Sequence, residues 1–359
     1  MREATSIHLQ ELVEIGFHER ASDVFVKANS VPMMRQHSVV KPLPGDWPVL
    51  TAADTERIIK EVMTPKQIEK FEHTLESDLA FSVGEKCRVR ANIHMQRGTW
   101  GIVCRIIPLT ILSLEELGLP PVLAELTKHR QGLILVTGPT GCGKTTTLAA
   151  LIDIINQNRA CHIVTIEDPL EFVHKDKKAY VTQREVGIDT LDFEPALRAV
   201  VREAPDVILI GEMRDVTTMN VAMQAGETGH LVFSTVHTSS AYETMDRIVN
   251  MFPPHEKQHL CLRLSNALRA IVAQKLVPRA DGQGRVAANE ILICTPTVSK
   301  MIEDGHFSDL YHAMNEGQYW GMQTMNQSLV RYVKAGIITE ETAMQYAGIA
   351  SELKQLLRR

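Results

Sequence analysis

The chain has 359 residues, 44% of them hydrophobic and 23% charged, with a formal net charge of −5. That length calls for two or three compact units, the apolar fraction suffices for true cores, and no run approaches the ~20 apolar residues of a membrane span. The absence of a long basic run disfavours an electrostatic grip on nucleic acid. The start, Met1-Arg2-Glu3-Ala4-Thr5, lacks the apolar stretch of a secretory leader. Six cysteines (Cys87, Cys104, Cys142, Cys161, Cys261, Cys294) form no C-x-x-C pair, which argues against a zinc ribbon and for reduced thiols in a cytosol.

Residues 1–107 read as a small α+β unit. A helix-like start over Ile7–Gly16 precedes short alternating runs at Asp23–Lys27, Pro32–Arg35, Leu79–Val83, Cys87–Ile93 and Thr99–Ile107. Between them, Thr51–Phe71 has helical spacing, with Ile58, Ile59, Val62 and Met63 on one face. Pro108 ends the strand pattern, and residues 108–121 read as a linker. From Leu133 the rhythm becomes apolar strand, helix, apolar strand. Leu133–Thr137, His162–Ile166, Val207–Ile210 and Leu231–Val236 have the near-continuous apolar character of strands buried on both faces. Helical segments lie between them at Lys144–Asn156, Phe193–Glu203 and Val216–Gly226. The alternation predicts an α/β fold with a parallel sheet over residues 122–290. Asp281–Gly284 is a turn, and residues 291–359 read as a mainly helical tail ending in Ser351–Arg359.

The first strand of that rhythm opens into Gly138-Pro139-Thr140-Gly141-Cys142-Gly143-Lys144-Thr145, followed by Thr146. Here G-x-x-x-x-G-K-[ST] stands in its required setting, a strand before and a helix after. Glycines let backbone N–H groups turn inward around phosphate oxygens, Lys144 brings charge to the β/γ-phosphates of ATP, and the Thr145 hydroxyl is placed for Mg²⁺. The next apolar strand leads to Glu167, where the sheet's carboxyl edge would face a nucleotide; taken alone, that residue reads equally as part of an acidic turn capping the strand. One strand later Val207–Ile210 leads to Glu212, a Walker-B-like placement that repeats the pattern. His237 follows the fourth strand, where it serves either as a sensor beside the γ-phosphate or as a structural histidine.

Together these stretches resemble the type II/IV secretion ATPase superfamily, and within it the type IV pilus retraction ATPases. The resemblance rests on four ordered motifs: Ile166-Glu167-Asp168-Pro169-Leu170-Glu171-Phe172-Val173-His174; Thr182-Gln183-Arg184-Glu185; Gly211-Glu212-Met213-Arg214-Asp215; and Glu227-Thr228-Gly229-His230 running on to His237-Thr238. It implies a RecA-like ATPase domain behind a PAS-like N-terminal domain, and a homohexamer at the cytoplasmic face of an inner membrane. The implied partners are a pilus platform protein and related pilus ATPases. In the resemblance Glu167 corresponds to the general base and Glu212 to the Walker B glutamate near Mg²⁺. Arg90 and Arg105 correspond to arginines that reach the phosphates from the N-terminal domain; from the residues alone they read equally as surface charges on strands. Extension and secretion members usually carry a further N-terminal domain and a paired C-x-x-C module, neither of which is found here, so retraction is expected ahead of pilus assembly or type II secretion. One departure runs the other way. Ser299 and Lys300 stand where retraction motors often show Arg-Asn, which bears on how hydrolysis couples to retraction.

Overall fold

The computed structural model describes residues 6–36 and 39–358. Met1–Thr5, on which the expectation of no secretory leader rests, and the last residue of the tail, Arg359, lie outside them. The chain divides into two compact units, Met1–Thr110 and Ile111–Arg359.

The first unit is a six-stranded antiparallel sheet in the order β3-β2-β1-β6-β5-β4, where β1 is Asp23–Lys27, β2 Met33–Gln36, β3 Val39–Pro42, β4 Glu76–Val83, β5 Cys87–Gln96 and β6 Thr99–Pro108. Helices α1 (Leu9–His18), α2 (Ala52–Lys60) and α3 (Pro65–Thr74) complete it. The predicted helical run over Thr51–Phe71 is thus two helices. Each begins at a capping box, Thr51 with Asp54 and Thr64 with Gln67, in which two otherwise orphaned backbone donors are satisfied reciprocally. Ile58, Ile59 and Phe71 are buried in one core with Val89, Ala91, Ile93 and Ile102 of the sheet.

The second unit holds a seven-stranded sheet in the order β13-β12-β7-β11-β10-β8-β9. Its strands are β7 (Gly132–Thr137), β8 (His162–Glu167), β9 (Tyr180–Glu185), β10 (Val207–Ile210), β11 (Leu231–Val236), β12 (Leu268–Pro278) and β13 (Arg285–Ile293). All neighbours pair in parallel except β12 and β13, which form an antiparallel hairpin around the Asp281–Gly284 turn. The turn is therefore followed by a strand before the helical tail begins. Among the described residues there are fourteen α-helices in chain order. Those of this unit are α4 (Val122–Leu126), α5 (Lys144–Asn158), α6 (Phe193–Val200), α7 (Val216–Glu227), α8 (Ala241–Asn250), α9 (Lys257–Ala267), α10 (Pro296–Glu303), α11 (Leu310–Glu316), α12 (Met325–Lys334), α13 (Glu340–Tyr346) and α14 (Ala350–Leu357).

Because side chains alternate across a strand, the apolar runs feed two cores at once. Leu133 and Leu135 face one side with Val164, Ile208 and Val232, against Leu197, Met219, Ile248 and Leu264 of the covering helices. Ile134 and Val136 face the other with Ile163, Leu209 and Phe233, against Leu148, Leu151 and Ile155 of α5. Each such side chain contributes about 1.5–3 kcal/mol of burial, which is what holds the strand ends, and the loops that leave them, in place. Leu114 and Leu119, in the stretch predicted as a linker, are buried in the second of these cores beside Leu123 and Leu126. No helix among the described residues is long and apolar enough to cross a membrane.

Candidate active site

The phosphate loop leaves the carboxyl end of β7 at Gly138, whose φ is 146°, in a region that L side chains rarely adopt. A Cβ here would also come 2.4 Å from the carbonyl oxygen of Gln274 on β12. Gly143 has φ 88°, and a Cβ there would approach Gln274 Nε2 to 2.9 Å. Both glycines are thus required twice, by the backbone's turn and by the closeness of β12. Helix α5 starts at Lys144, and its N-cap residue, Gly143, has no side chain to cap the first-turn N–H groups.

Lys144 is buried against the loop. Its Nζ donates to the carbonyls of Gly138 at 2.8 Å and Pro139 at 3.1 Å, and lies 3.4 Å from His237 Nδ1. Burial lowers its pKa, while the carboxylates of Glu212 and Glu171 pull the other way. Cys142 is buried, and burial holds its thiol above the ordinary range. Beside the loop lies a cleft of about 200 Å³ lined by Lys144, Thr145, Glu167, Glu171, Glu212 and His237 among others. Three strand ends meet there, those of β8, β10 and β11, as an open parallel sheet requires of a ligand site.

Glu167 is the most perturbed acid of the cleft. It is 5% exposed, and burial pushes its pKa up to about 7. The Thr165 hydroxyl, donating to Oε1 at 2.7 Å, opposes that rise, and the nearby Glu171 carboxylate adds to it. Glu212 is held differently. Oε1 is ion-paired with Arg214, and Oε2 lies 3.4 Å from His237 Nε2. His237 therefore bridges the loop lysine and the second acid. With the Lys144 ammonium at Nδ1, this arrangement suits the tautomer that carries its proton on Nε2, toward Glu212.

The profile of the type II/IV secretion system protein family matches residues 8–345. The chain belongs to that family. Among its relatives in the type II/IV secretion family, the type IV pilus retraction ATPase PilT of Pseudomonas aeruginosa is 43% identical over 341 residues, 95% of this chain and 98% of that protein. A twitching motility protein of Neisseria gonorrhoeae is 43% identical over 316 residues, covering 88% of this chain and 84% of its own length. Among solved structures, the pilus retraction motor PilT with bound ADP superposes with a TM-score of 0.91 at 40% identity, over 98% of this chain and 100% of the other.

In this family member the residues singled out from sequence fall into two groups, one in each unit. Lys144, Thr145, Glu167, Glu212 and His237 share the cleft of the second unit. Thr146 faces a neighbouring cavity, with Gly143, Thr147 and Gln274 on its walls. Arg90 and Arg105 belong to the first unit, where they are direct cross-strand partners on β5 and β6. Arg105 Nε donates to the buried carboxylate of Asp23 at 3.1 Å, and Asp23 Oδ2 also lies 3.6 Å from Arg35. Ser299 and Lys300 sit on α10, where Lys300 pairs with Glu303 and Asp304.

Three contributors went unassigned in the sequence reading. Gln183 of β9 accepts from the His174 N–H at 2.7 Å and donates to the Phe172 carbonyl at 2.9 Å, pinning the segment that follows Glu167. Arg214 holds Glu212. Gln274 lies under the loop, and its polar side chain directly after the apolar run Ala270-Ile271-Val272-Ala273 was the available signal.

Proposed function

We propose that this chain is the ATP-hydrolysing motor of type IV pilus retraction, working as a homohexamer at the cytoplasmic face of an inner membrane and pulling through a platform protein. The observation that carries the reading is the gathering of Lys144, Glu167, Glu212 and His237 around one cleft beside a phosphate loop, in a chain alike to PilT over nearly its whole length. ATP would lie with its phosphates against the N–H groups of Gly141 to Thr145, where the helix dipole of α5 favours negative charge. Lys144 would turn its ammonium from the loop carbonyls to the β/γ-phosphates.

A buried carboxyl with a pKa near 7 is suited to accept a proton from an attacking water at neutral pH, the task proposed for Glu167. The Thr145 hydroxyl and the Glu212 carboxylate are hard oxygen donors on the same cleft, the donor chemistry that Mg²⁺ takes. Mg²⁺, when bound, supplies charge neutralisation at the phosphate oxygens. Arg214 and His237, both on Glu212, orient its carboxylate. Arg90 and Arg105, offered by the first unit of a neighbouring subunit, would meet the charge that grows on the γ-phosphoryl group. The domain divisions follow the same reading, with residues 1–107 as the PAS-like part, 108–121 as the linker, 122–290 as the RecA-like core and 291–359 as the helical part.

The deciding experiment is imaging of pilus retraction in a deletion strain complemented with this gene. Restored retraction with the wild type, and none with Lys144→Ala, is expected. Pili that extend only when the gene is present would instead mark an assembly motor.

A further inference from the structure

Gln274 is 2% exposed within a strand whose neighbouring residues Ala270 to Ala273 and Val277 are buried and apolar. An amide taken out of water at such a place is unfavourable unless each of its groups is paired. Its side chain pairs with the phosphate loop, with the first turn of α5 and with a strut behind them. Nε2 donates to the Cys142 carbonyl at 2.7 Å. Oε1 accepts from the Thr147 hydroxyl at 2.9 Å and from Asn289 Nδ2 at 3.0 Å.

The orientation of the amide follows from chemistry. A backbone carbonyl only accepts, so Nε2 must face Cys142, which leaves Oε1 to receive Thr147 and Asn289. Asn289 of β13 is fully buried and its main chain is tied down, the N–H donating to Ser328 Oγ at 3.2 Å and the carbonyl accepting from Gln323 Nε2 at 2.8 Å, while its side-chain Oδ1 has no partner among the described residues. The main chain of Gln274 takes part as well, since its carbonyl lies where a Cβ of residue 138 would stand. One residue therefore touches the loop's first glycine, its last peptide and the first turn of α5.

In a trans peptide plane the N–H points opposite to the C=O. With the Cys142 carbonyl drawn back onto Gln274, the Gly143 N–H is turned forward, to the side on which a phosphate is cradled. We propose that Gln274 is a positioning residue for nucleotide binding and hydrolysis, holding the Gly143 N–H at the mouth of the loop, with Asn289 fixing Gln274 in turn. The proposal rests on the reading that the loop holds nucleotide phosphates.

The test uses the full chain, a fluorescent ADP analogue, steady-state ATP turnover and thermal unfolding with and without ADP. Wild type and Lys144→Ala are run alongside, so that a wild type binding no nucleotide would sink the functional reading itself. Gln274→Met keeps the bulk and removes both polar ends. Its affinity for the analogue should fall about tenfold, its KM for ATP should rise by a similar factor, and the stabilisation by ADP should shrink, since one buried hydrogen bond is at stake. Thr147→Val, which removes one donor to Oε1 and leaves the bond to Cys142, should weaken binding by about threefold. A merely structural glutamine would lower the melting temperature without ligand and leave affinity and KM as in the wild type, and that result overturns the proposal. Should Gln274→Met fail to fold, Thr147→Val decides alone: weakened binding supports the proposal, and wild-type affinity overturns it.

Discussion

Glu167→Gln separates the chemistry of the cleft from its cost to the fold. The wild-type carboxyl titrates near 7 in the folded chain against an ordinary 4.5, because burial penalises its charged form. Between those values the folded state holds the proton and the unfolded state does not, so stability falls as pH rises through that window and is lowest above it. At about 1.4 kcal/mol per pH unit, the ionised Glu167 costs the fold about 3 kcal/mol at pH 8 and less than about 1 at pH 5. Glutamine keeps an acceptor for the Thr165 hydroxyl and cannot ionise. The variant should accordingly gain stability over the wild type as pH rises, toward that same figure of about 3 kcal/mol. Its ATP turnover should fall by roughly 10²–10⁴-fold, the usual contribution of a general base, while ATP still binds. Paired urea-unfolding curves at several pH values and a phosphate-release assay measure the two effects. Full turnover in the variant would refute the base assignment. A stability difference that does not grow with pH would refute the burial argument, whatever the kinetics show.

Lys144→Ala should weaken ADP binding by about 10–100-fold and abolish hydrolysis without unfolding the chain, as checked by calorimetric titration, because one charge-assisted contact to phosphate is removed. Wild-type turnover should decline on acidification below the value near 7 at which Glu167 takes up its proton, and a flat profile from pH 5 to 8 would count against its role. Glu212→Gln should raise the Mg²⁺ concentration needed for half-maximal turnover, read from a metal titration. Arg90→Ala/Arg105→Ala protein and Lys144→Ala protein, each inactive alone, should recover activity when mixed. A dead mixture in demonstrably mixed hexamers would place the arginines in their own subunit's chemistry or in structure only.

The four strands at Leu133–Thr137, His162–Ile166, Val207–Ile210 and Leu231–Val236 were legible because burial on both faces leaves a continuous apolar run, which little else in a soluble chain produces. Their carboxyl ends were legible for the same reason, and with them the places of the loop and of both glutamates. The strand β13 was not. Its Arg-Val-Ala-Ala-Asn-Glu start is poor in strand-forming residues, and pairing with β12 overrides that local preference. Edge strand β9 carries the motif Thr182-Gln183-Arg184-Glu185, whose polar character conceals that it is a strand. What sequence could not show is pairing at a distance: His237 beside Lys144 and Gln274 under Cys142 are consequences of how the strands line up. The raised pKa of Glu167 belongs to the same class, since burial is a property of the closed sheet.

The position of β7 in the sheet has a consequence for synthesis. It emerges first of the seven strands, yet its two neighbours come late: Gly132 pairs with Leu231 and Leu133 with Leu268. Until both have left the ribosome, Leu133-Ile134-Leu135-Val136 is an uncharged, strongly strand-forming segment with two open edges, the kind that joins other chains. Sheet closure around β7 is a contact between distant parts of the chain and hence intrinsically slow. The phosphate loop, leaning on Gln274 of β12, takes its shape only at that closing step. Nucleotide can therefore stabilise the finished unit but offers no foothold to a nascent one.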